Sequence, residues 1–168
     1  MQRRSLLKLG IVSAAALALV GGAAAMIKPA FDAGKLTAVG REVFQAMGIG
    51  ILDKTLPDEA APRTLALDNL LNDISALVSA LPQHAQAEVS QLLSILGTTA
   101  GRYGLAGLDT PWASATPAQL QAALQDMRLS RLAVRQQAYA ALHDITAGAY
   151  FSRSDSWTML GYPGPLKI

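Results

Sequence analysis

Apolar positions recur at intervals of three and four along most of the chain and nowhere alternate as a half-buried strand would. Lys28 to about Lys35, with Pro29 and Gly34, reads as a short linker. Leu36, Val39, Val43, Met47 and Ile51 then mark one face of a helix. Gly40, Gly48 and Gly50 interrupt it, each at a cost of about 1 kcal/mol against alanine in a helix interior, and Pro57 ends it. From Arg63 to Leu81 the stripe is clearest: Leu67, Leu70, Leu71, Ile74, Leu77, Val78 and Leu81 share a face, while Asp68, Asn72, Asp73 and Ser79 look elsewhere. Pro82 closes that helix and opens a third, striped by Val89, Leu92, Leu93, Leu96 and Ala100. The short connection predicts that these two helices pack antiparallel.

Gly101, Gly104 and Gly107 predict a loop that holds Asp109-Thr110-Pro111-Trp112. A fourth, short helix follows, with Thr116 to cap, Pro117 in the first helical position and Gln119 to complete a capping box; it ends near Met127. The last helix runs from about Ser130 to Phe151, with Val134, Ala138, Ala141, Ile145 and Ala149 on one face and Leu132, Tyr139 and Leu142 widening it. Ser152 to Ile168, with Gly161, Pro163, Gly164 and Pro165, reads as irregular. There is no internal repeat. The expected fold is all-α, a bundle of four to five helices over 36–151. A signal or anchor over 1–27 and a linker over 28–35 precede it, and an aromatic, Pro- and Gly-rich tail over 152–168 follows.

Composition narrows the picture. Hydrophobic residues make up 51% of the 168 and charged residues 15%, enough to bury a core, while aromatics at 5% and few β-branched residues favour helix over sheet. The formal charge of +2 is misleading. Three of the 14 cations, Arg3, Arg4 and Lys8, precede every one of the 12 acids, which leaves the remainder with 11 cations against 12 acids. A near-neutral body has little hold on phosphate backbones, which argues against nucleic-acid binding. The chain has no cysteine, so disulfides, thiolate nucleophiles, iron–sulfur clusters and covalent haem are excluded.

The opening residues Gln2-Arg3-Arg4-Ser5-Leu6-Leu7-Lys8 resemble the twin-arginine translocation signal, with glutamine before the pair and Leu6 where phenylalanine is usual. The 19 uncharged residues from Leu9 to Ile27 are diluted by three glycines and seven alanines. Such weak hydrophobicity suits this export route better than the general secretory one. Ala23-Ala24-Ala25 offers a cleavage site, yet the stretch also falls within the ~17–25 residues able to span a bilayer. A cleaved leader and a retained anchor both stay open, and both place the body in the periplasm, either free or held at the inner membrane. This route carries folded cargo, yet the chain has no cofactor motif. Either its body folds too fast to be threaded, or it travels with a folded partner that has no signal of its own.

Candidate chemistry is sparse. His84 reads as exposed at a helix start, and His143 sits beside Asp144, a spacing that points two helical side chains in different directions. No third ligand stands at metal spacing, no glycine run follows a strand, and no serine occupies a nucleophile elbow. An enzyme would need a site built from groups such as Asp109, Arg128 or Tyr139. Arg128, Arg131 and Arg135 read as a basic stripe on one helix face, either solvated or facing an acidic partner.

The tail is richer. Tyr150-Phe151-Ser152 and Ser156-Trp157 lead into Leu160-Gly161-Tyr162-Pro163-Gly164-Pro165. This apolar segment can fold over the bundle as a lid or anchor a partner through Trp157 and Tyr162. Together with the leader and the helical body, these residues resemble the small subunits of bacterial membrane-bound dehydrogenases, in particular the gluconate 2-dehydrogenase subunit 3-like group. At motif level the resemblance covers the two ends, about a quarter of the chain. It implies a non-catalytic accessory role without a cofactor of its own. The partner it implies is a flavin-dependent large subunit of the glucose–methanol–choline type, with a cytochrome c subunit often carrying electrons onward. The small subunit would supply the signal read by the translocase at Arg3, Arg4, Leu6, Leu7 and Lys8. It would meet its partner through Trp157, Leu160, Tyr162, Pro163, Pro165 and the arginines 128, 131 and 135. A different reading is a free-standing periplasmic helical protein that binds a hydrophobic ligand.

Overall fold

A computed structural model describes residues 28–157 and 161–162. The leader, including Arg3, Arg4, Leu6, Leu7 and Lys8, and the tail residues Leu160, Pro163 and Pro165 lie outside the described residues. Five long helices carry the fold: α1 Ala38–Ile51, α2 Ala60–Ser79, α3 Gln83–Leu96, α4 Pro117–Leu129 and α5 Ala133–Phe151. Shorter pieces link them: Thr99–Gly101 running into a π-turn at Arg102–Ala106, a 3-10 turn at Trp112–Ser114, and one helical turn, Ser154–Trp157, beyond α5. The all-helical expectation holds for these residues but for one two-stranded ladder.

All four other long helices pack against α1. Such a helix cannot keep to a single apolar stripe, and its buried residues are Gly40, Val43, Phe44, Ala46, Met47, Gly48 and Gly50. The glycines that looked like helix weaknesses are points of close approach. A Cβ on Gly40 would overlap the Ala30 carbonyl, which accepts the Thr37 N–H at 3.0 Å just before α1 begins. A Cβ on Gly48 would come within 2.8 Å of Leu70, and one on Gly50 within 2.9 Å of Leu124. The propensity cost, about 1 kcal/mol each, is offset by the packing of α2, α4 and the N-terminal segment at short range.

The expected pairing of α2 with α3 is not the main contact. Helix α2 packs most extensively on α5 and only lightly on α3. The reason lies in α3: its buried residues, Leu93, Ser94, Ile95 and Leu96, are confined to the last turn, where they meet α1 and the indole of Trp112. That indole donates to the Leu96 carbonyl at 2.8 Å and is 4% exposed.

The stretch read as a linker is seated on the bundle. Phe31–Asp32 (β1) and Lys35–Leu36 (β2) form an antiparallel pair, with Phe31 opposite Leu36. Ala33 and Gly34 both have positive φ, 47° and 77°, as a tight two-residue hairpin turn demands. Two-residue strands are too short to show a period of two, so no alternation announced them. Serines from two helices bind the hairpin backbone in place of further strands. Ser94 Oγ accepts from Ala30 N and Ser90 Oγ from Phe31 N, both at 3.0 Å. Ser75 Oγ accepts from Leu36 N at 3.3 Å, and Ser79 Oγ donates to Gly34 O at 2.8 Å.

The glycine-rich stretch after α3 is helical rather than a loop as far as Ala106. Thr98 caps it, accepting the Gly101 N–H at 2.9 Å, and Gly107 stops it in the left-handed region at φ 70°. The predicted capping box at Thr116 and Gln119 is present, although α4 runs on to Leu129, past Met127. Helix α5 begins at Ala133, three residues after Ser130, and buries Ala138, Leu142, Thr146 and Ala149. Leu132, placed on the apolar face from sequence, is exposed.

The two kinds of glycine respond in opposite directions to a methyl group. Gly40→Ala is expected to destabilise the fold by about 2 kcal/mol, since backbone must move to admit it. Gly104→Ala, with nothing within 4 Å of the new Cβ, is expected to stabilise by about 0.5–1 kcal/mol. Urea unfolding midpoints of the two variants check this.

Candidate functional site

The C-terminal end of α5 is tied down before the tail begins. Tyr150 donates its hydroxyl to the Thr55 carbonyl at 3.0 Å, and Arg153 pairs with Asp73 at 3.1 Å. The turn Ser154–Trp157 then folds back, so that the Trp157 indole donates to the Phe151 carbonyl at 2.9 Å. Gly161, with φ 66°, lets the chain reverse again. Tyr162 N–H reaches the Trp157 carbonyl at 3.0 Å, and the two rings meet edge-on at 5.4 Å. Trp157 is half-buried and Tyr162 is 49% exposed. Trp157 thus holds the end of the bundle while Tyr162 is presented to solvent. Tyr150 and Arg153 also line an open cleft of about 240 Å³ with Thr55, Pro57, Leu65 and Ala66, with exposed Leu65 in its wall.

The three arginines do not form one stripe. Ser130 leaves the helical region with ψ 145° and ends α4, so Arg128 and Arg135 sit on different helices with Arg131 in the connection. Arg128 donates to Gln125 Oε1 at 3.1 Å and, like Arg131, is exposed. Arg135 is a staple instead: its side chain is only 14% exposed, and it donates to Asp126 Oδ2 and to the Leu105 carbonyl, both at 2.7 Å. It locks α4, α5 and the π-turn together. The proximity of Asp126 nine residues upstream, across a helix break, is invisible to a one-helix reading.

The search for chemistry finds little that is assembled. His143 does meet Asp144, Nδ1 to Oδ1 at 3.1 Å, against the expectation that they diverge, and it stacks on Tyr139 at 5.5 Å. They border an open polar cleft of about 260 Å³ with Gln121 and Gln125. Asp109, Arg128 and Tyr139 fall on three separate elements, and no hydrogen bond or ion pair among the described residues joins them. Among the described residues no group of three or more His, Asp or Glu side chains is placed to hold a metal ion. No helix among them is long and apolar enough to cross a membrane. His84 is exposed.

The chain matches no family model, no curated protein and no solved structure. The residues themselves therefore carry the functional reading.

The staple can be separated from an ordinary surface pair. Arg135→Ala is expected to lower stability by about 2 kcal/mol, because it leaves the Leu105 carbonyl without its charged donor. Asp126→Ala, at a side chain 65% exposed, should cost under about 1 kcal/mol. Equal losses in thermal or urea unfolding would show that Arg135 acts through the ion pair alone.

Proposed function

We propose that this chain is a non-catalytic accessory subunit of the kind its ends resemble. It provides the twin-arginine signal for a partner that has none, a flavin-dependent dehydrogenase subunit, and assists that partner's folding and passage into the periplasm. The observation that carries the reading is the Arg3-Arg4 leader on a body with no cofactor motif. A route for folded cargo has a purpose on such a chain when the cofactor belongs to a companion. The C-terminal end supports the same reading. Tyr162 offers a partner an exposed aromatic side chain, one of the residue types enriched among interface hot spots.

The competing reading, a free-standing binder of a hydrophobic ligand, draws less support. The clefts of about 240 and 260 Å³ are open and lie below the ~300–1,000 Å³ usual for small-molecule pockets.

The test is export of the partner. In cells making both proteins, Arg3→Lys/Arg4→Lys should strand the flavin subunit in the cytoplasm, while Tyr162→Ala should reduce co-purification with little change in the melting temperature of the small subunit. Normal periplasmic levels of the flavoprotein with the double lysine variant would sink the escort role.

A further inference from the structure

The tip between α4 and α5 has a composition unlike the rest of the surface. Three of the five large apolar side chains exposed among the described residues, Tyr103 at 66%, Leu129 at 64% and Leu132 at 60%, lie within a few residues of the Asp126–Arg135–Leu105 staple. Leu129 stands one helical turn after Asp126, Leu132 one turn before Arg135, and Tyr103 two residues before Leu105. Two leucines on a tight connection cannot reach the core, because Arg135 fixes both helices and Leu132 N–H is held by Ser130 Oγ at 3.2 Å. They are therefore rigidly displayed. Arg128 and Arg131 alternate with them and are exposed, and neither pairs with a carboxylate among the described residues. Asp126, the acid on the same helix as Leu129, is taken up by Arg135.

We propose that this tip docks on an anionic lipid surface. The choice over a protein partner rests on shape and charge together. The tip is a helix connection, and neither of the two clefts described above is lined by its residues. Leucines that enter the headgroup boundary, with a tyrosine at its level and arginines among the phosphates, satisfy both the apolar and the cationic groups at once. The surface lies at the opposite end of α5 from Trp157, about 27 Å away along the helix axis, so it is separate from the proposed partner surface.

The absence of cysteine allows a single label on the full-length chain. Ala133→Cys, exposed at the start of α5, carries an environment-sensitive fluorophore at the tip, and Ala76→Cys, exposed on α2, carries the same probe as a control. A label reports local insertion even where the leader itself holds the chain to a vesicle. With vesicles of phosphatidylglycerol and phosphatidylcholine in equal parts, the Ala133 probe should shift to the blue and brighten. The Ala76 probe should not move, and pure phosphatidylcholine should leave both unchanged. Arg128→Gln/Arg131→Gln should weaken the tip signal about thirtyfold, and about 0.5 M salt should suppress it. Leu129→Ser/Leu132→Ser, which keeps the charges, should abolish the blue shift. A tip probe that stays unshifted on anionic vesicles overturns the proposal, as does an equal shift at Ala76. A shift produced by a protein partner and not by vesicles would assign the tip to a protein interface and overturn it as well.

Discussion

A helix with neighbours on all sides has to let backbones come close, and α1 is in that position. Four helices and the N-terminal hairpin share its 14 residues, so some of its side chains must be no larger than a hydrogen atom. Gly40 admits the carbonyl of Ala30, and with it the hairpin. Gly48 admits Leu70 of α2, and Gly50 admits Leu124 of α4. The larger residues between them, Val43, Phe44 and Met47, are almost wholly buried and fill the space left over. Small and large positions along one central helix thus decide where each of the outer elements can sit. The placement of α5 follows: it closes over α1 and takes its main support from α2.

The hairpin shows how polar groups are accommodated next to that core. A two-stranded ladder leaves outward N–H and C=O groups that need partners when they are covered. Here Ser90 and Ser94 on α3, and Ser75 and Ser79 on α2, each pair one helical turn apart, meet those groups with hydroxyls. Ser75, Ser79 and Ser94 also donate or lie close to carbonyls within their own helices, so one short side chain serves two backbones. The first described residues of the body are in this way tied to its middle, and Lys28 is itself held through its carbonyl by Ser94 at 3.1 Å.

Much of the helical framework was legible because long amphipathic periods are local. The stripe from Leu67 to Val78 and the capping box at Thr116 need only neighbouring residues to be recognised, and both are where periodicity and capping chemistry put them. What failed to show was non-local. Glycine is a helix weakness when judged by propensity, and only the tertiary neighbours of Gly40 and Gly50 make it a requirement. The glycines at 101, 104 and 107 look like a loop until Thr98 is seen to cap the segment and Gly101 to lie against the Ile95 backbone. The arginines suffered the same fate. Spaced three and four apart they imitate a stripe, but the break at Ser130 sends Arg135 inward to partners thirty and nine residues away. The signal that could have warned of this was the pair Ser130 and Leu132, a side-chain acceptor followed two residues on by its N–H, which is a turn and not a helix interior.

Helix α5 finally explains how two surfaces of different character can coexist on a small body. Its start is fixed by the Arg135 staple to α4 and the π-turn. Its end is fixed by Tyr150 to the α1–α2 connection and by Arg153 to α2. Between them run the 19 residues of α5, a helical spacer of about 27 Å, close to the diameter of a small domain. Sites so far apart, with no shared partner, contribute additively to stability. A cationic, leucine-bearing tip and an aromatic end can therefore be altered one at a time. An interaction made at one end leaves the other exposed, and the rigidity of the helix fixes the distance between whatever each end touches.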